Sequence, residues 1–286
     1  MIKGLAITPP VLGRISIGRV IEKNGKRLPE KDDQFTITSQ IQSKDGWVKH
    51  PLDEQLRQQT ANQKLRSIPV RMIFNDPELN LRAEYTLFDR QTGRPICVGN
   101  GQSCQRSTSQ GVEQHPCPSP DLCPLAQGGA CKPFGRLHVN LDESDELGSF
   151  IFRTTGFNSI RTLAARLAYY HAASGGLLSC LPLQLTLRGK STTQSYRTPV
   201  YYVDLTLRDG VNLQDAIHSA RQMDEQSKAA GFYQEALDFI ARKGFENARF
   251  ELNSEEGMDV LEEFYIDESK QQPHEETHDV THVQEI

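Results

Sequence analysis

From Gly99 to Pro133 the chain reads GNGQSCQRSTSQGVEQHPCPSPDLCPLAQGGACKP. Four cysteines, Cys104, Cys117, Cys123 and Cys131, stand there among Pro, Gly, Ser and Gln, with few apolar residues. Such a stretch cannot bury enough apolar surface to offset the entropy of ordering it. It needs a cross-link. Four thiolates around one zinc supply one, because structural zinc takes a closed tetrahedral shell of sulfur or nitrogen. The spacing, C-x12-C-x5-C-x7-C, departs from the double C-x2-C of ribbons and fingers. The expectation is a structural Zn2+ in a knuckle over residues 100–136, held by Cys104, Cys117, Cys123 and Cys131. His115, two residues before Cys117, is the alternative to Cys104 as fourth ligand. Disulfides are disfavoured, since MIKGLAITPPVLGR has no signal-peptide pattern. Four cysteines can also hold an iron–sulfur cluster, but the long irregular spacing points to zinc. A catalytic zinc keeps an open position, which a shell of four cysteines lacks. Cys97 (in RPICVG) and Cys180 (in GLLSCLPL) lie in apolar, strand-like runs and read as small buried core residues. His138, in FGRLHVNL, reads as an ordinary strand histidine.

At 286 residues the chain is long enough to bury a core without metal. No apolar run approaches membrane-spanning length, so the expectation is a cytoplasmic protein without membrane contact. Charge is distributed unevenly. From Glu251 onward twelve Asp and Glu face one lysine, Lys270; set against −5 overall, this leaves residues 1–250 at +6. The acidic end reads as a solvated tail, with nucleic-acid mimicry or shielding of a basic face as the other uses of such a segment. The body permits DNA contact without demanding it.

Periodicity gives the elements. LGRISIGRVI (12–21) and FTITSQI (35–41) alternate as half-buried strands, joined through Asn24-Gly25. Residues 52–66 are polar, a surface helix or an arm. IPVRMIF is a strand, and RAEYTLFD with PICVGN forms a hairpin through Arg90–Gly93. The cysteine stretch is then an excursion out of the sheet. GRLHVNL and GSFIFRTT return as strands. The spacing predicts a helix over 158–174, capped by Asn158 or Ser159 and stopped by Gly175-Gly176. Two more strands, LLSCLPLQLTLRGK and TPVYYVDLTLRD, flank a polar loop, and two helical patterns follow. The fold class is α+β: a mainly antiparallel sheet with the cysteine-rich knuckle and C-terminal helices. The expected division is a core over 1–210, a helical segment over 211–266 and an acidic disordered tail over 267–286.

Other motifs are weaker. Gly189-Lys190-Ser191 lacks the upstream glycine and the following helix of a phosphate loop. Arg188, Lys190, Tyr196 and Arg197 in that loop suit contact with phosphates and bases of single strands. Arg153 and Arg161 lie near a helix start, where anions bind, although plain capping explains the local residues. His274, His278 and His282 recur every four residues in the tail. No catalytic constellation emerges.

Four motifs in order, LGRISIGRVIEKNGKRLPEKDDQFTITS, VGNGQSCQR, PCPSPDLCPLAQGGACKPFGRLHV and GSFIFRTTGFNSIRTLAARL, resemble the phage recombination directionality factors that partner large serine integrases. The resemblance covers roughly residues 10–210. It implies a non-enzymatic accessory protein of phage or mobile-element DNA recombination. Such a factor binds the recombinase on DNA, repositions its coiled coil and favours excision, with no small-molecule substrate. Cys117, Cys123 and Cys131 match the family's cysteine-rich patch; Cys104 falls where members need not carry cysteine. The alternative is a zinc-containing single-strand-binding protein of phage-type replication or homologous recombination.

Overall fold

A computed structural model describes residues 10–23, 26–44, 46–60, 62–141, 148–191, 199–247, 257, 258, 260, 261 and 264, with backbone alone in 19–23, 26–32 and 245–247. In chain order the elements are β1 (Val11–Lys23), β2 (Lys26–Ser43), β3 (Gly46–Lys49), α1 (Pro51–Gln58), β4 (Ser67–Met72) and α2 (Pro77–Asn80). Next come β5 (Leu81–Phe88), β6 (Pro95–Gly99), β7 (Ser103–Thr108), β8 (Gly111–Pro116), β9 (Cys131–Asn140) and β10 (Ser149–Thr154). The last are α3 (Phe157–Ser174), β11 (Leu183–Lys190), β12 (Val200–Leu207), α4 (Leu213–Ala229) and α5 (Gln234–Asn247).

The main sheet runs β3-β2-β1-β10-β9-β5-β6-β7-β8. Every step is antiparallel except β1–β10, which is parallel. A second limb branches from β9: Arg71 and Met72 of β4 pair with Asn140 and Val139, and β4 leads on to β11 and β12. The α+β class with a mainly antiparallel sheet and C-terminal helices is what the alternation predicts.

Alternation sorts the sheet into two faces. Leu81, Leu137 and Phe152, in register on β5, β9 and β10, point into the main core with Ile15 and Ile37. Helix α3 closes that core with Ile160, Leu163, Leu167 and Tyr170, spaced as one helical stripe. Each such buried side chain contributes about 1.5–3 kcal/mol. Ala216 and Ala220 bring α4 onto the same core. The helix ends at Gly175 in the left-handed conformation, φ 69°. Its start differs from the predicted one: Gly156 is the N-cap, and Ser159 is buried, accepting the Val203 N–H at 3.1 Å. The serine ties α3 to β12 instead of capping.

On the opposite face of β5 and β9, Phe88 and Phe134 pack with Val260, Leu261 and Phe264, three helical residues of the C-terminal segment. Phe264 meets both rings edge-on, at 4.8 and 5.7 Å between centroids. The segment also crosses the β5–β6 turn through two glycines. A Cβ on Gly93 would lie 2.4 Å from the Gly257 carbonyl carbon, so neither position tolerates a side chain.

The cysteine stretch is not wholly an excursion. Ser103–Thr108 and Gly111–Pro116 are β7 and β8, an edge hairpin continuing the sheet. The chain leaves the sheet only between Cys117 and Ala130, where Pro124–Gly129 forms a 3-10 turn. The Asn24-Gly25 turn and the histidine-bearing tail lie outside the described residues.

Candidate metal centre

Strand register builds the site. Cys97 of β6 stands opposite Leu87 of β5, which stands opposite Cys131 of β9. Cys104 of β7 stands opposite Gly99 of β6. Directly opposed residues share a face, so Cys97, Cys104 and Cys131 project to the same side. Cys117 follows β8, and its N–H donates to Gln102 O at 2.9 Å, which swings the thiol back over the sheet. A Cβ on Gly99 would lie 2.9 Å from Cys117 Sγ and 2.7 Å from Cys104 Cβ. Glycine is therefore required at 99 for Cys117 to sit there. Cys123 arrives from the excursion, where its carbonyl accepts the Ala126 N–H at 3.0 Å and Ala126 is buried.

Five thiols, Cys97, Cys104, Cys117, Cys123 and Cys131, thus line one cavity, with Arg106 at its side. Its volume is about 20 Å3, room for one atom-sized guest, since a single water needs about 10–15 Å3. Burial pushes the Cys131 thiol up to about 12, and the neighbouring Cys97, Cys117, Cys123 and Cys104 add to the shift. Burial and the Cys104 contact raise Cys97 to about 11, against the lowering influence of Arg106. Without a cation these two thiols are neutral at pH 7.

All four sequence-predicted ligands meet here. Cys97 joins them, and its reading as a plain core residue is corrected: it is half-buried and lines the thiol cavity. Its signal in the sequence was only proximity, seven residues before Cys104. Cys180 does pack against the main core. His115 sits opposite Cys104, but its Nε2 lies 3.1 Å from Glu113 Oε2, a partner other than the thiols. Among the described residues no three His, Cys, Asp or Glu side chains stand in an arrangement that could hold a metal ion. Thiolates are a donor type that zinc accepts; as placed, the sulfurs surround the cavity without forming a closed shell.

The basic residues of the β11–β12 region divide. Arg188 lies in β11 and its Nε reaches Asp204 Oδ2 at 2.8 Å; Arg166 Nε holds the other oxygen at 3.0 Å. Asp204 is buried, so Arg188 serves the fold. Lys190 is exposed, and Tyr196 and Arg197 lie outside the described residues.

Residues 12–208 match the sequence model of the Gp3-like, recombination directionality factor-like family. The chain belongs to that family. No curated protein and no solved structure matches it. The directionality-factor-like match takes in the thiol corner, α3 and the β11–β12 limb, and it stops before α4, α5 and the acidic segment. Membership points to an accessory role in phage recombination and to association with a recombinase or DNA. Among the described residues no helix is long and apolar enough to cross a membrane.

The family region contains one further site that local sequence patterns do not disclose. Arg82, Arg136 and Arg153 stand in one row across β5, β9 and β10. They project from the face opposite the main core. His138 and Arg14 lie in the neighbouring row, through Ile151. Arg14, Arg82, Arg136 and His138 are all buried. Glu84 ion-pairs with Arg136 at 3.1 Å and Arg82 at 3.8 Å. Burial, then the charges of Arg136, Arg153 and Arg82, push the His138 pKa down to about 3.

Proposed function

We propose that this chain is a non-enzymatic accessory protein of phage or mobile-element DNA recombination, acting by binding a recombinase. The family match over residues 12–208 carries the reading. The treatment of carboxylates supports it. The two buried aspartates among the described residues, Asp53 and Asp204, are each held by arginine: Arg57 at 2.6 Å, and Arg166 with Arg188. Neither is poised to move a proton for a substrate.

Zn2+ in this corner is part of the proposal. Cys104, Cys117, Cys123 and Cys131 would hold it, with Cys97 beside Cys104. The metal would supply a structural cross-link between the sheet edge and the Cys117–Ala130 excursion. The chain's own residues do the rest: Gly99 makes room for Cys117, and the backbone bond from Cys117 to Gln102 sets the direction of the loop.

The test is a recombination assay with a large serine integrase of the kind that such factors partner. Attachment-site DNA is supplied for the integrative and the excisive reaction, with and without the purified chain. A shift toward excision that requires the chain, together with co-purification of the two proteins, is the expected result. No change in either direction across a panel of integrases overturns the recombinase-binding reading.

A further inference from the structure

The zinc proposed for the thiol corner takes four ligands, and the corner offers five thiols. Cys117, Cys123 and Cys131 belong to either choice, so the fourth position falls to Cys104 or to Cys97. Burial separates the two. Cys97, Cys117, Cys123 and Cys131 are half-buried, whereas Cys104 is 2 % exposed. Hydrogen bonding separates them again. Cys104 Sγ donates to Pro116 O at 3.7 Å. A thiol must keep its proton to make that bond, and a zinc ligand must lose it. A thiolate there would face the negative end of a carbonyl dipole. Cys97 has the reverse setting. Arg106 stands directly opposite it on β7, and the guanidinium charge acts on Cys97 more strongly than on Cys104. Arg106 Nε is buried and makes no hydrogen bond among the described residues. A shell of four thiolates around Zn2+ is dianionic, and a guanidinium against one sulfur offsets that charge.

Strand register points the same way. Cys97 and Cys131 both stand opposite Leu87 of β5, so two strand spacings, about 9.6 Å, separate their backbones. Cys104 is one strand further out and two residues along, opposite Gly99. In a tetrahedral zinc shell the sulfurs stand about 3.8 Å apart, given a Zn–S distance of about 2.3 Å. Cys131 reaches that spacing with Cys97 at far less distortion than with Cys104. Among the other thiols, Cys97 is the one whose charge acts most on Cys131, and Cys104 the one whose charge acts least. Cys117 Sγ lies over Gly99, between the two candidates, and does not choose between them.

We propose that Cys97, Cys117, Cys123 and Cys131 form the zinc shell, with Arg106 as its charge partner, and that Cys104 remains a protonated thiol of the sheet edge. This assignment rests on the zinc reading of the corner and replaces Cys104 by Cys97 within it.

The experiment uses the full-length chain as wild type, Cys97→Ser and Cys104→Ser. Each is titrated with Zn2+ against a chromophoric chelator, and separately with Co2+. The Co2+ titration reads the thiolate-to-metal charge-transfer band, whose intensity follows the number of bound thiolates. Circular dichroism before and after metal addition establishes that each form is folded. Cys104→Ser is expected to bind Zn2+ with wild-type affinity and to show a wild-type Co2+ band. Cys97→Ser is expected to bind at least about 100-fold more weakly, beyond what loss of a group merely touching a ligand costs. Cys97→His, which returns a zinc ligand, recovers binding with a weaker charge-transfer band. Arg106→Gln lowers the affinity about tenfold, and Arg106→Lys restores part of it. Where Cys97→Ser does not fold, Cys97→His and Cys104→Ser decide the same question. Metal retained by Cys97→Ser, or a weakened Co2+ band in Cys104→Ser, overturns the choice of Cys97 while the zinc reading stands. A folded wild-type chain that binds neither Zn2+ nor Co2+ overturns the zinc reading itself, and the assignment with it.

Discussion

The thiol corner and the arginine row share strand β9, on opposite faces, with Cys131 at its start and Arg136 five residues further on. Both gather like groups from several strands. They differ in how they tolerate being gathered. A thiol escapes repulsion by keeping its proton, and Cys97 and Cys131 do so, their pKa values raised to about 11 and about 12. A guanidinium has no such escape. The corner can therefore exist in a neutral form that waits for a cation, whereas the row needs anions whenever the chain is folded. This explains why Glu84 sits within the row and why His138 stays neutral there.

The comparison can be broken most sharply at the corner. Cys123→Ser with Cys131→Ser should abolish zinc binding and expose the Cys117–Ala130 excursion to protease, because a structural zinc site is worth about 10 kcal/mol or more of ordering energy in small metal-stabilised domains. Elemental analysis of the purified chain and limited proteolysis read both effects. Unchanged metal content, or no metal in the wild-type chain, would remove zinc from the description of the corner. Cys97→Ser should retain the metal if the four other thiols suffice.

At the row the corresponding change is Glu84→Gln. It removes the carboxylate that Arg82 and Arg136 share and should cost about 3 kcal/mol, the lower end for breaking a buried pair. Denaturant unfolding reports the loss. A change of a few tenths of a kcal/mol would mean that other anions already satisfy the row.

pH separates the two regions further. The folded chain holds the His138 pKa at about 3, below its usual value near 6.5. Its stabilising contribution is complete above pH 6.5 and is lost as pH falls toward 3, because the unfolded chain binds a proton that the folded one refuses. His138→Gln should flatten stability against pH in that window by about one proton. An unchanged slope would place His138 in a solvated setting.

The smallest effect is expected away from both regions. Arg188→Ala with Lys190→Ala removes one of the two arginine partners of Asp204 and a solvated lysine. Arg188 is about half exposed, its side chain at 49 %, so the stability cost should stay at or below about 1 kcal/mol. DNA affinity, measured at several salt concentrations, should not change. A clear loss of salt-sensitive binding would restore the β11–β12 loop as a nucleic-acid contact.

Much of the molecule is legible along the chain. Ile15 and Ile17 alternate with polar residues and do form a strand; Ile160, Leu163 and Leu167 recur at helical spacing and do line α3. The turn from Arg90 to Gly93 lies between paired strands, as its residue types require. Ser159 was misread because a serine near a helix start has two uses, cap or cross-link, and only the position of β12 selects between them. Arg188 was read as a loop cation because its partner, Asp204, is sixteen residues away and opposite in the ladder only by two places.

The sequence by itself determined the elements, the need to cross-link a core-poor cysteine stretch and the charge asymmetry of the two ends. These follow from local periodicity and composition, which act over a few residues. Tertiary structure alone decided that Cys97 belongs with the other thiols, that Gly99 makes room for Cys117, and that Arg82, Arg136 and Arg153 form one row. Those outcomes depend on which strands pair and in what register. Register is set by the joint burial of Leu81, Leu137 and Phe152 in the main core, and the groups on the opposite face follow wherever that apolar match places them.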